Sequence, residues 1–174
     1  MLFKEASLRL LENATEELSP FTKRSYFYCL QKVFHYAPNL HCEQINPQFV
    51  KEYRAHLIEL ENKPATVAKA LSVLRNFSHR LMEEGAIKEN PFSGIKIRRV
   101  SSHRQFLNIS DLRKLFNRFI EHENILRIPE RNALRAFLFS CFTGLRYSDL
   151  KSLTFEEIKD GKIRKQMHKT GDYV

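Results

Sequence analysis

The chain has 174 residues, 43% hydrophobic and 28% charged, with 14 Phe, five Gly and six Pro. This is enough apolar material for a core, which excludes a disordered segment, and no apolar run is long enough to span a bilayer. The formal charge of +9 is uneven: residues 1–94 carry 12 basic and 11 acidic side chains, whereas residues 95–174 carry 17 and 9.

The few glycines and prolines separate long periodic stretches, which favours helices. Leu2 to Leu11 form a short leading helix. Ser19-Pro20 opens the next, a capping residue followed by proline at the first helical position. Its apolar stripe runs through Tyr26, Leu30, Val33, Phe34 and Ala37, and Pro38 ends it. Asn46-Pro47 opens a further helix with Phe49, Val50, Tyr53, Leu57 and Leu60 inward. Lys63-Pro64 starts another, with Val67, Leu71, Leu74, Phe77 (or Ser78) and Leu81 inward and Gly85 closing it. Short loops between such helices predict a compact bundle with little room for a sheet.

Residues 89–106, "ENPFSGIKIRRVSSHRQF", lack helical periodicity and read as an extended linker. Beyond it, Ser110 caps a helix carrying Leu112, Leu115, Phe116 and Phe119. Pro129 opens another, through Leu134, Phe137, Leu138 and Cys141, whose apolar run Ala136–Phe142 is expected to be deeply buried. Asp160-Gly161 is a hairpin turn signal between Glu157-Ile158 and Lys162-Ile163. One short hairpin is marginal in water, so this second domain is expected to be cut short at Val174.

The basic half suits a polyanionic partner, most often nucleic acid, with a solvated basic surface as the alternative on charge alone. The amino end mixes charges into every turn and is no signal peptide. Cys29, Cys42 and Cys141 are an odd number without framework spacing, which suggests a reduced, cytoplasmic protein. His41-Cys42 beside Glu43 has no repeated ligand spacing, so no metal site is expected there. The spacing of Tyr26, Phe27 and Tyr28 favours core packing over a base-stacking platform.

One feature of "CFTGLRYSDL" (141–150) demands explanation. Arg146 follows an apolar helix stopped by Gly144, and burying an unpaired guanidinium is very costly. Either Asp149 pairs with it at i, i+3, tying helix to helix, or its partner lies outside the chain.

"TGLRYSDLKSLTFEEI" (143–158) resembles the first catalytic box of the tyrosine recombinases, the phage-integrase family, especially integrases of Bacteroides-type mobile elements. "HKTGDYV" (168–174) resembles the family's next box, a hairpin lysine followed by Thr-Gly. "SPFTKRSYFYCLQKVFHYA" and "KPATVAKALSVLRNFSHRLMEEGAIKENPF" resemble its core-binding domain.

The resemblance implies a mainly α chain. A SAM-like helical core-binding bundle would occupy residues 1–95 and a basic linker 96–105. The truncated start of an α+β catalytic domain with a short β-hairpin would occupy 106–174. It makes Arg146 the first catalytic arginine, Asp149 the acid that orients it, and Lys169 the hairpin lysine. The family's His-x-x-Arg box, its later His or Trp and its tyrosine nucleophile have no counterpart here, since neither Tyr147 nor Tyr173 stands in the nucleophile's place. The implied activity is DNA integration and recombination by strand breakage and rejoining through a 3′-phosphotyrosine, without metal or other cofactor. The implied partners are double-stranded DNA and other recombinase protomers in the full-length protein, with no membrane. These residues alone are expected to be monomeric. The competing readings are a non-catalytic DNA-binding module derived from an integrase and a helical protein-interaction domain.

Lys96, Arg98, Arg99 and Arg104 are the foremost DNA-contact candidates, spaced along extended backbone where they could follow phosphates. Thr22, Lys23 and Arg24, and Lys69, Arg75 and Arg80, lie off the apolar stripes of their helices. Contacts of this kind position a protein on DNA without reading its sequence. His168 reads as a strand residue.

Overall fold

Proline marks the start of every long helix but two, because its fixed φ suits the first helical turn and its missing N–H costs nothing there. In the computed structural model, which describes residues 1–14, 18–98, 105–122 and 124–173, the chain forms two compact units, Met1–His103 and Arg104–Val174.

The first unit is a four-helix bundle of α1 (Phe3–Asn13), α2 (Pro20–Tyr36), α3 (Pro47–Glu59) and α4 (Pro64–Glu83). Ser19 Oγ accepts the Thr22 N–H at 3.3 Å and Asn46 Oδ1 accepts that of Phe49 at 2.9 Å, so both caps act as their sequence predicts. The core joins Phe3, Leu30, Val33, Val50, Tyr53, Leu57, Leu74 and Leu81, all essentially inaccessible. Rings of Tyr36, Phe49 and Tyr53 cluster beside it, with centroids 5.4–6.2 Å apart. Gly85 follows α4 in the left-handed region at φ 75°. Pro91 and Phe92 are buried with this core, so the stretch after α4 begins as packed structure rather than as an extended connection. No helix here is long and apolar enough to cross a membrane, among the described residues.

Two further expectations for this unit need correction. Leu60 is 60% exposed, because α3 ends at Glu59 and the chain turns before Leu60 can reach the core. Phe27 and Tyr28 are also largely exposed. Tyr26, Leu30 and Val33 already occupy the inward stripe of α2, and at 100° per residue their neighbours 27 and 28 rotate away from it.

The second unit holds α5 (Ile109–His122), α6 (Ile128–Thr143), α7 (Tyr147–Lys151) and an antiparallel hairpin, β1 (Ile158–Lys159) with β2 (Lys162–Ile163). Asn108, not Ser110, caps α5: its Oδ1 accepts at 2.8 Å the N–H of Asp111, the third residue of the helix that starts at Ile109. Asp160 and Gly161 both take positive φ, 52° and 69°, the pair that matches a two-residue turn to strand twist. The register pairs Ile158 with Ile163 and Lys159 with Lys162.

The run Ala136–Phe142 is not deeply buried. Leu138 is enclosed, but Phe137, Cys141 and Phe142 are exposed. Within this unit, among the described residues, α6 packs chiefly on α5 and α7, which cover only part of its circumference.

Candidate active site and nucleic-acid interface

The junction of α6 and α7 is built by local backbone chemistry. Gly144 adopts φ 72° and donates its N–H to Ser140 O at 2.9 Å, ending α6 in the left-handed conformation that glycine adopts without strain. Leu145 turns inward and is 3% exposed. Arg146 then serves as the N-cap of α7 with extended backbone (φ −70°, ψ 154°), its carbonyl accepting the N–H groups of Asp149 and Leu150.

The expected Arg146–Asp149 pair is absent among the described residues, and the Arg146 side chain is exposed without a hydrogen bond or ion pair. The reason is geometric. Arg146 flanks α7 instead of belonging to it, so the i, i+3 proximity of helical side chains does not apply. Asp149 is fully buried and turns the other way. Its Oδ1 accepts the backbone N–H of His168 at 2.8 Å, while Oδ2 is enclosed with no partner among the described residues.

That bond brings the second box to the first. His168 immediately precedes Lys169, which is exposed in a tight turn where Met167 N donates to Asp172 O at 2.7 Å and Gly171 N to Met167 O at 2.8 Å. Gln166 and Tyr173 form an isolated antiparallel bridge behind it. The structure thus places Arg146 and Lys169 at the two ends of one short chain of contacts, α7 to Asp149 to His168.

Sequence reasoning missed Lys165. It is 5% exposed, and its ammonium donates to Ser152 O at 2.9 Å and to Glu157 Oε1 and Oε2 at 3.1 and 3.0 Å. Three acceptors are what three ammonium donors require in a buried site. The Thr154 backbone N–H first, and then Lys165, hold the Glu157 carboxyl below the usual carboxylate range. The available signal was strand alternation from Ile163 to Met167, which puts Lys165 on the same face as the buried Met167.

In the first unit, Lys69, Arg75 and Arg80 line one groove of about 630 Å³ along α4, together with Tyr26, Ser72, Asn76 and His79. Ser72, Asn76 and His79 were not singled out from sequence, although their spacing with Lys69 marks one polar helix face. Thr22, Lys23 and Arg24 lie on the first turns of α2 outside that lining. Arg24 is engaged locally, with Nε 3.3 Å from Tyr28 Oη and the guanidinium 5.7 Å from the ring centre. Lys96 and Arg98 rim a separate, mainly apolar hollow of about 360 Å³ with Arg54, Ile58 and Leu71. Arg99 and Arg104 lie outside the described residues.

Comparison with known proteins places the chain in a family. A family model for the phage integrase SAM-like domain matches residues 2–99. The tyrosine recombinase XerC of Thermodesulfovibrio yellowstonii is 30% identical over 151 residues, which cover 84% of this chain and 48% of XerC. This chain therefore spans about half the length of that curated relative. Among solved structures, a lambda integrase dimer bound to a COC′ core site superposes with TM-score 0.82 at 19% identity, over 100% of this chain and 61% of that one. A lambda integrase tetramer bound to a Holliday junction gives 0.82 at 18%, over 100% and 50%. At such identities the likeness establishes the fold. With the match over residues 2–99, it shows that the chain belongs to the tyrosine recombinase, or phage integrase, family.

Proposed function

We propose that these residues are the core-binding domain and the opening part of the catalytic domain of a site-specific DNA recombinase. The domain limits are those expected from sequence: 1–95, a basic linker 96–105, and 106–174. The observation that carries the reading is the exposed, unengaged guanidinium of Arg146, tied through Asp149 to the turn that presents Lys169. The DNA and the additional protomers named for the lambda integrase structures are the partners proposed here.

In the proposed reaction a tyrosine oxygen, from residues other than these 174, attacks a backbone phosphorus. A 3′-phosphotyrosine forms as the bond to the 5′-oxygen breaks. The 5′-hydroxyl of the partner strand then attacks that phosphotyrosine, restoring the diester and freeing the tyrosine. Bond energy is retained in the covalent intermediate, so the exchange needs no nucleotide hydrolysis. The pentavalent transition state gathers charge on the nonbridging oxygens. A planar, permanently charged Arg146 can meet two of them at once, and fixed charge of this kind contributes about 3 kcal/mol. Lys169 is the group proposed to protonate the departing 5′-oxygen. Asp149 supports both by position, without touching DNA.

Lys69, Arg75 and Arg80, with Thr22, Lys23, Arg24, Lys96 and Arg98, are the proposed phosphate contacts; they give affinity and register, not sequence. The test is Arg146→Ala in a recombinase that carries these residues together with its tyrosine. Cleavage of a nicked site should fall about 10²- to 10³-fold, as for loss of one fixed transition-state donor, while duplex affinity changes little. Near-normal cleavage would remove Arg146 from the mechanism.

A further inference from the structure

Two buried charged side chains of the second unit touch no reacting atom in the chemistry just described, and both grip the segment that runs from β2 to Lys169. Lys165 reaches back from that segment to Ser152 O, at the end of α7, and to Glu157. Asp149, inside α7, takes the N–H of His168. The attachments are three residues apart on that segment (165 and 168) and three apart on the helical one (149 and 152). Arg164 N adds a third tie by donating to Glu157 O at 2.8 Å.

Two separated anchors between the same pair of elements fix their orientation as well as their distance, which one contact cannot do. Buried pairs are poor sources of net stability, because desolvating an ammonium offsets most of its attraction to a carboxylate. They are specific, however: an ammonium deprived of its acceptors in such a site is strongly disfavoured, so the segment has few alternative placements. What this geometry fixes is the place of Lys169 relative to the residue that opens α7.

We propose that Lys165 and Asp149 are positioning residues for the general acid, holding the turn that bears Lys169 in register with Arg146. The inference rests on the role given to Lys169 above. Misplacing a catalytic group by about 1 Å costs about 10²-fold in rate, so loss of either anchor should slow the step that needs the proton.

The experiment compares two nicked substrates in a recombinase that carries these residues and its tyrosine. One has the ordinary 5′-oxygen at the scissile phosphate; the other has sulfur there. Attack by tyrosine on the second breaks a P–S bond and releases a thiolate, which needs no proton because a thiol's pKa is only about 8.5. Lys169→Ala should be slowed on the oxygen ester and recover on the sulfur ester, whereas Arg146→Ala should be slow on both. Lys165→Met and Asp149→Ala should follow Lys169→Ala, losing about 10²-fold on oxygen and regaining most of it on sulfur. Asp149→Asn keeps an oxygen for the His168 N–H and should restore cleavage of the oxygen ester.

A defect equal on both substrates for folded Lys165→Met and Asp149→Ala, with Lys169→Ala still recovering, overturns the positioning role and leaves the recombinase reading intact. So does an Asp149→Asn variant that is folded yet as slow as Asp149→Ala. If Lys169→Ala itself fails to recover on sulfur, the role of Lys169 falls, and this inference with it. Should Lys165→Met not fold, the Asp149 pair decides alone. In the 174-residue chain, Asp149→Ala should speed hydrogen exchange of the His168 amide, and unchanged exchange would contradict the anchor directly.

Discussion

Removing Lys69 and Arg75 together gives the sharpest test of the groove along α4. Both side chains are exposed, both line the same 630 Å³ depression, and neither is held in an ion pair among the described residues. Their charges are therefore available to a duplex. Each phosphate neutralised contributes about 0.9 to the slope of log affinity against log salt, so the double alanine variant should lower that slope by about 1.8. Over a fourfold rise in salt, the ratio of wild-type to variant affinity should then shrink by about 12-fold. Fluorescence anisotropy of a labelled duplex, titrated at several salt concentrations, reads both quantities. The core is untouched, since neither side chain enters it, and circular dichroism should show unchanged helicity. A variant with the wild-type slope would mean that this groove does not face phosphates. A wild-type chain whose affinity ignores salt would remove the DNA reading altogether.

Three further outcomes concern the scaffold. Tyr53 is wholly buried, yet its hydroxyl has no partner among the described residues, so Tyr53→Phe should stabilise the chain by about 1 kcal/mol. A melting temperature below that of the wild type would contradict this. Gly161 sits at φ 69°, so Gly161→Val should destabilise the β1–β2 turn by about 1 kcal/mol or more, seen as faster exchange of the hairpin amides. Glu157 is held below the usual carboxylate range, so its contribution is complete above its unfolded value of about 4.3 and fades as pH falls through the lower folded value. The Arg164 and His168 amides should lose protection in that acid window, and protection that is flat across it would refute the Lys165–Glu157 anchor.

The first unit was largely legible in the sequence. Ser19-Pro20 and Asn46-Pro47 carry their own capping chemistry, and the stripe Val67, Leu71, Leu74, Phe77 and Leu81 can be buried on only one side of a helix. Asp160-Gly161 likewise specified a hairpin, because few residue pairs accept two successive positive φ angles. These are local properties, decided within a few residues of backbone.

What the tertiary structure alone decided is where charged and apolar side chains find their neighbours. Spacing offered Asp149 as one of two possible partners for Arg146, but the carboxylate bonds to His168, nineteen residues on, because Arg146 lies outside the helix whose geometry the spacing assumed. Ala136–Phe142 looked buried by composition, yet burial depends on which elements surround a helix, and the packing of α6, chiefly on α5 and α7, leaves Phe137, Cys141 and Phe142 open. Lys165 was not singled out in the sequence, because its role exists only where Ser152 and Glu157 close around its ammonium. Backbone preference is written residue by residue, whereas a hydrogen bond between distant residues exists only once the fold has brought donor and acceptor to about 3 Å.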